Sequence, residues 1–133
     1  MVGIPEAVDA VQETVTEISP APVTFDSVSS VSDLKARLDW GEPALTIIDV
    51  RDRESFNDMR ITGAISLSTD ELAERAGQTL ESNRDIYVYA YTDESSASAA
   101  AQLKSVGFEQ VSVLRGGLLA WRAIGGSIEG RST

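Results

Sequence analysis

The sequence predicts an α/β protein in which helices cover both faces of a parallel sheet. Three observations support this prediction. Short apolar stretches with strand composition alternate with helical patterns along the chain, which is typical of β-α-β units. These strand stretches carry few charges, as strands buried on both faces do. Residues 85–106 show the pattern best, because an aromatic and β-branched stretch precedes an alanine-rich one that ends at Gly107.

A candidate site lies within that central unit. Residues 86–90 predict a buried strand and residues 95–106 predict the helix that follows it. Residues 91–94 then form the loop between the end of a strand and the start of a helix. Ligands collect at such places in open α/β folds, because unpaired N–H groups and a partial positive charge lie there. We therefore expect any site of this protein at residues 91–94.

The other elements follow the same alternation. Ser30 and Asp33 form a capping box that predicts a helix reaching Gly41. Further strands are predicted at residues 45–49, 64–67 and 111–113, and further helices at 53–59 and from 68–71 to about residue 76. A last helix is expected after Gly117, running through Trp121 and ending at residues 125–126.

Residues 1–22 form a leader with a different composition. All of its charged side chains are acidic, and they contribute −4 to the chain's formal charge of −10. Its aliphatic residues recur at helical spacing: Ile4, Val8, Val11, Val15 and Ile18. This stripe favours an amphipathic docking helix, whereas the abundance of Val and Thr favours a frayed acidic tail. Both interpretations stay open, and the domain itself is predicted at residues 23–130.

Composition excludes several classes of chemistry. The chain has 133 residues, enough for one domain with a core. It contains no cysteine and no histidine, which excludes disulfides, thiolate nucleophiles, histidine bases and the usual zinc sites. No apolar run approaches the roughly 18 residues that cross a bilayer. We therefore expect a soluble, cytoplasmic protein.

Three motifs resemble those of the rhodanese family. The first comprises Asp49-Val50-Arg51, Phe56 and Ile61-x-Gly63-Ala64-Ile65, and the last is Leu114-x-Gly116-Gly117-x-x-x-Trp121. Residues 85–101 fit the strand, active-site loop and helix that lie between these motifs in the family. The resemblance covers residues 24–130. It implies a rhodanese-like α/β fold with a five-stranded, mostly parallel sheet flanked by helices.

The same resemblance implies an active site that lacks its nucleophile. Family members carry sulfur on a cysteine at the end of the central strand, and a six-residue loop surrounds the persulfide with N–H groups. Ala90 stands at the cysteine position, and Ser95 stands where an arginine usually holds the anionic donor. Because a methyl group cannot form a persulfide, we predict no sulfurtransferase activity. The former active-site loop comprises Ala90, Tyr91, Thr92, Asp93, Glu94 and Ser95.

The remaining motif residues are predicted to be structural: Asp49, Arg51, Gly63, Gly116, Gly117 and Trp121. In the family the first two tie the strand end to neighbouring backbone, and the paired glycines are expected to give the last turn its freedom. Trp121, with Leu118 and Leu119, is expected to pack the last helix on the sheet. Arg60 departs from the family pattern, which often has histidine there. It either is a surface replacement or places positive charge near the loop.

Other chemical roles for the loop have weaker support. Ser95 and Ser96 lack an adjacent base that would activate a hydroxyl. Asp93 and Glu94, as an acid and base pair, would lack the burial that such a pair requires. Two adjacent carboxylates alone do not make a cage for Mg²⁺ or Ca²⁺. We predict no metal and no cofactor.

We predict instead a non-catalytic recognition or regulatory module with Asp93, Glu94 and Arg60 as candidate partner-binding residues. Two carboxylates at the helix start would repel anions and attract a protein partner that carries Lys or Arg. The excess of acidic residues argues against nucleic acid and anionic membranes, although it equally serves solubility. Two alternatives remain: an enzyme with an unrecognised reaction at this loop, and a purely structural domain. The sequence predicts no oligomeric state.

Overall fold

A computed structural model describes residues 27–41 and 45–131 of the chain. The predicted leader, residues 1–22, lies outside the described residues. The strands are β1 (Val28–Ser29), β2 (Leu45–Asp49), β3 (Arg60–Ile61), β4 (Ile65–Ser66), β5 (Asp85–Tyr89), β6 (Val111–Leu114) and β7 (Ile128–Glu129). The helices are α1 (Val31–Asp39), α2 (Arg53–Asp58), α3 (Leu72–Thr79), α4 (Asp93–Ser105) and α5 (Gly117–Ala123).

Five of these strands form one parallel sheet in the order β1-β6-β5-β2-β4. β5 lies at its centre and pairs in parallel with β2 on one side and β6 on the other. Strands β3 and β7 form a separate antiparallel pair. This arrangement confirms the predicted α/β fold with a five-stranded sheet.

The alternation of side chains along β5 divides the core into two apolar layers, one on each face of the sheet. Ile86, Val88 and Ala90 belong to a layer that α3 and α4 cover. Tyr87 and Tyr89 belong to the opposite layer, which α1 and α5 cover. Successive side chains of a strand point to opposite faces. The central strand therefore has to be apolar throughout, as the sequence shows.

Several boundaries differ from those predicted. Helix α4 begins two residues earlier than expected, because Thr92 accepts a hydrogen bond from the backbone N–H of Ser95 and caps the helix there. Helix α3 starts at Leu72 and continues to Thr79, three residues beyond the predicted end. Strands β1, β3 and β7 were not predicted, since two residues show no periodicity.

Alkaline pH should destabilise the fold, because two tyrosines of the central strand are buried. Burial raises the pKa of Tyr89, and the charge of Asp49 raises it further; burial also raises the pKa of Tyr87. Such a phenol stays protonated in the folded state while the unfolded chain ionises above about pH 10. The free energy of unfolding should therefore fall as pH rises beyond that value.

Urea denaturation at several pH values between roughly 9 and 11 would measure this effect. Tyr89→Phe should flatten the decline, whereas the same change at the exposed Tyr91 should not. An unchanged decline in Tyr89→Phe would contradict the assignment to Tyr89.

Candidate functional site

The carboxyl ends of three neighbouring strands meet at a cavity of about 220 Å³. Arg51 comes from the end of β2, Ala90 from the end of β5, and the turn after β6 and helix α5 supply the far wall. The lining residues are Arg51, Ala90, Tyr91, Gly116, Leu118, Leu119 and Arg122. The cavity lies beside the position where the resemblance places the sulfur-bearing cysteine.

Arg51 is fixed at the cavity wall by a buried ion pair with Asp49. Asp49 is fully buried and Arg51 is 9% exposed. One carboxylate oxygen accepts hydrogen bonds from the backbone N–H and Nε of Arg51 at 2.9 and 3.0 Å, and the other accepts from Nη2 at 2.7 Å. Nη2 also donates to the carbonyl of Met59 at 2.6 Å. The charge of the guanidinium is therefore balanced, and its Nε and Nη2 donors are occupied within the fold.

Its environment keeps that guanidinium charged. Burial acts to lower the pKa of Arg51, but the hydrogen bonds and charge of Asp49 outweigh it, so that the pKa is raised overall. The rings of Tyr89 and Tyr91 lie 5.6 and 5.7 Å from the Arg51 Cζ atom. These aromatic faces add cation–π contacts to the ion pair.

Tyr91, the second residue of the former active-site loop, joins that loop to helix α2. Its ring is 65% exposed. Its hydroxyl donates to Asp52 Oδ2 at 2.8 Å and makes a further hydrogen bond with the Ser55 hydroxyl. The backbone N–H of Ser55 and then the Tyr91 hydroxyl lower the pKa of the Asp52 carboxyl. Tyr91 thus has a fixed hydroxyl and an accessible ring beside the cavity.

The serines at the start of α4 serve the helix. Ser95 donates its N–H to the Thr92 side chain, and its hydroxyl accepts a bond from the same side chain at 3.0 Å. Ser96 is buried and donates its hydroxyl to the Thr92 carbonyl at 2.9 Å. No base lies beside either hydroxyl in the part of the chain that the structure describes. Neither serine is arranged as a nucleophile.

Asp93 and Glu94 differ in their surroundings, although both lie in the first turn of α4. Asp93 Oδ1 accepts a hydrogen bond from the backbone N–H of Gly116 at 2.9 Å. This bond joins the former active-site loop to the last motif. Glu94 is exposed, and its carboxylate makes no hydrogen bond or ion pair with the described residues. The two carboxylates are therefore not equivalent.

The glycine pair of the last motif allows the turn that closes the cavity. Gly116 has φ of 78° and Gly117 has φ of 54°, values that side chains disfavour. A Cβ atom on Gly116 would also lie 2.5 Å from the Cβ of Ala120. Trp121 is buried under the sheet and donates its indole N–H to the Ser127 carbonyl at 2.8 Å. Helix α5 is thereby held in a fixed orientation.

Arg60 does not line the cavity. Its Nε lies 3.1 Å from Glu129 Oε2, across the β3–β7 pair. Its Nη1 donates to the carbonyl of Phe56, and its Cζ lies 4.5 Å from the centre of the Phe56 ring. The backbone N–H of Gly63 also points to Glu129 Oε2, at 3.4 Å. Arg60 thus links strand β3 to strand β7 through its ion pair with Glu129.

The structure adds two residues that the sequence did not indicate as part of a site. Leu119 was expected to pack helix α5 on the sheet. That expectation was wrong, because the residue is 78% exposed and lines the cavity. Arg122 follows one helical turn later and is also exposed. No signal separated these residues from Leu118, which does pack against the core. The rotation of a short helix about its own axis decides which side chains face solvent, and that rotation depends on how the helix packs.

Residues 27–41 and 45–131 lack two kinds of feature. They contain no group of three acidic, histidine or cysteine residues placed to hold a metal ion. They also contain no helix with the length and apolar character to cross a membrane.

The fold and the three motifs define the class of this protein. Residues 30–124 match the family described as the rhodanese-like domain, so the chain belongs to that family. It is 40% identical over 78 residues to the thiosulfate sulfurtransferase GlpE of Shewanella oneidensis, covering 59% of this chain and 76% of that protein.

Solved structures agree with this assignment. The solution structure of the rhodanese-like domain of Alr3790 from Anabaena sp. superposes with a TM-score of 0.77 at 51% identity, covering 80% of this chain and 81% of that one. A thiosulfate sulfurtransferase from Pseudomonas aeruginosa superposes with a TM-score of 0.70 at 27% identity, covering 79% of this chain and 20% of that one. The chain is therefore a rhodanese-like domain without cysteine.

Replacing Asp93 by Ala should destabilise the domain modestly. The variant loses the acceptor for the Gly116 N–H, and a hydrogen bond of this kind contributes about 0.5–1.5 kcal/mol. Asp93→Asn keeps an acceptor oxygen and should cost less. Glu94→Gln, which removes charge without breaking a bond within the described residues, is the control. Urea denaturation measures all three, and equal losses for Asp93→Ala and Glu94→Gln would contradict the structural role of Asp93.

Proposed function

We propose that this chain is a non-catalytic rhodanese-like domain that acts as a protein-recognition or regulatory module through its former active-site cavity. One observation supports it above all. The residue at the carboxyl end of β5, where a sulfurtransferase needs its nucleophile, is Ala90, which is 8% exposed at the cavity. The whole chain contains no cysteine that might act from another position.

The surroundings of Ala90 support the same proposal. Attack on a sulfur donor requires a nucleophile with an activating environment. The hydroxyls of Ser96 and Tyr91 are held in hydrogen bonds within the fold, and the Arg51 charge is balanced by Asp49. What is left facing solvent is a small cavity lined by apolar side chains, backbone and the two arginines Arg51 and Arg122. A concave surface with apolar walls and a few polar groups is typical of a binding site.

Sulfur transfer is the reaction that tests this proposal. The purified chain, incubated with thiosulfate or 3-mercaptopyruvate and with cyanide or a thiol as acceptor, should form product at the rate of a heat-denatured sample. GlpE from Shewanella oneidensis provides the positive control. Turnover that increases in proportion to the concentration of the chain would overturn the non-catalytic assignment.

A purely structural domain is the competing explanation for an inactive chain. It predicts that substitutions at the cavity change only stability. A recognition module predicts that substitutions of exposed cavity residues change binding and leave the urea midpoint in place. Arg122→Glu and Leu119→Ala, which change exposed residues of the cavity, separate these two explanations.

A further inference from the structure

We propose that the cavity beside Ala90 binds a protein segment that presents an apolar side chain next to a carboxylate. This inference deepens the recognition function proposed above and rests on it. It specifies the chemistry of the partner, and that chemistry differs from the basic partner that the loop sequence suggested.

The walls of the cavity are suited to an apolar side chain. Leu119 is 78% exposed and Tyr91 is 65% exposed, and both line the cavity together with Leu118 and the methyl group of Ala90. Large apolar side chains that stand together in water around a concave surface are typical of interaction sites. Inserting an aliphatic or aromatic side chain would remove all of these surfaces from water, which is favourable.

Among the residues that line the cavity, the charge without a partner is positive. Two arginines line it, Arg51 and Arg122. Arg51 is paired with Asp49, but the exposed Arg122 guanidinium makes no ion pair or hydrogen bond with the residues at 27–41 and 45–131. Arg115, just before the cavity residue Gly116, is likewise exposed with no side-chain partner there. The planar fork of an arginine matches the geometry of a carboxylate, which it binds through two hydrogen bonds.

The nearby carboxylates of the described residues are not part of the cavity lining, and none of them pairs with Arg122. Asp93 and Asp52 keep their negative charge, but hydrogen bonds from the Gly116 N–H and the Tyr91 hydroxyl hold them in place. Glu94 does not line the cavity. A carboxylate on the partner segment would therefore attract Arg122, whereas a Lys or Arg side chain on the partner would be repelled by it. Charge complementarity at the cavity favours an acidic partner over the basic one that Asp93 and Glu94 suggested.

Display of random peptides against the immobilised full chain tests this inference. We expect the selected sequences to share an aliphatic or aromatic residue beside Asp or Glu. A synthetic peptide of the selected sequence should then bind in solution, and its association rate should fall as salt increases.

Five variants locate the binding. Arg122→Glu should weaken binding of the selected peptide at least about tenfold, whereas Lys104→Glu should not. Lys104 is exposed and lies about 16 Å along α4 from the cavity end of that helix. Leu119→Ala should weaken binding similarly, whereas Val106→Ala, a change at another exposed apolar side chain, should not. Arg122→Lys, which keeps the charge but lacks the fork, should weaken binding less than Arg122→Glu does.

Several outcomes would overturn the inference. The inference is overturned if no peptide is selected. It is also overturned if the selected peptides are basic and their binding depends on Glu94. Equal competition by a peptide of residues 1–22 would assign the cavity to the chain's own leader, and a dimer that Arg122→Glu dissociates would assign it to a second copy. The sulfur-transfer assay is independent of these results. An inactive chain that selects no peptide contradicts only this inference, whereas an active chain contradicts the proposed function.

Discussion

Ala90→Cys is expected to introduce a thiol at the right position without producing an efficient sulfurtransferase. The new cysteine would stand at the end of β5 beside the cavity. Ser95, however, stands where the resemblance places a donor-binding arginine, and Asp93 and Glu94 add negative charge to the same turn. Loss of one preorganised donor to a developing charge typically lowers kcat by about 10²–10³. Turnover should therefore stay at least about a hundredfold below that of GlpE.

Two further variants give this prediction its controls. Ala90→Ser matches the thiol in size without its nucleophilicity and should be inactive. Ala90→Cys combined with Ser95→Arg should recover part of the missing rate, because Thr92 caps the helix through the backbone N–H of residue 95 and the cap survives the change. Steady-state kinetics with thiosulfate measures each rate. Turnover of Ala90→Cys alone at the level of GlpE would show that the altered loop is not an obstacle.

Asp49→Ala is expected to cause a large loss of stability. It leaves the buried Arg51 guanidinium without its counter-charge. Removing one partner of a buried ion pair typically costs about 3–5 kcal/mol. Urea denaturation should show this loss at neutral pH. The change should also disturb the cavity, because Arg51 lines it.

An exposed ion pair supplies the control for Asp49. Lys35 and Asp39 lie 2.9 Å apart on the surface of α1, and Lys35→Ala should cost less than about 1 kcal/mol. Replacing Asp49 and Arg51 together by apolar residues should cost less than the sum of the two single changes, since no buried charge is then left unpaired. A loss below about 1 kcal/mol for Asp49→Ala would mean that the pair contributes no more than a surface pair does.

The fold could be predicted from the sequence because its local patterns agree with one another. The apolar stretch of β5 and the alanine-rich α4 each indicate their own structure, and the motifs around Asp49 and Gly116 indicate how such units assemble. The shortest strands could not be predicted, because two-residue ladders such as β3 and β7 depend on pairing with distant residues.

The site was only partly predictable for a similar reason. The sequence shows that Ala90 replaces a nucleophile and that carboxylates follow it. It does not show that Asp93 bonds the Gly116 N–H, that Arg60 pairs with Glu129, or that Leu119 faces solvent. Each of these contacts joins residues far apart in the chain or depends on how a helix is rotated. They decide which side chains line the cavity: Leu119 does, whereas Arg60 does not.

The most direct test of the non-catalytic assignment is the intact mass of the chain after incubation with excess thiosulfate. A rhodanese reaction begins with transfer of one sulfur atom to the enzyme, whatever acceptor follows. We expect the mass of this chain to remain unchanged, while GlpE treated in parallel gains sulfur. A gain of one sulfur atom that cyanide removes would contradict the account.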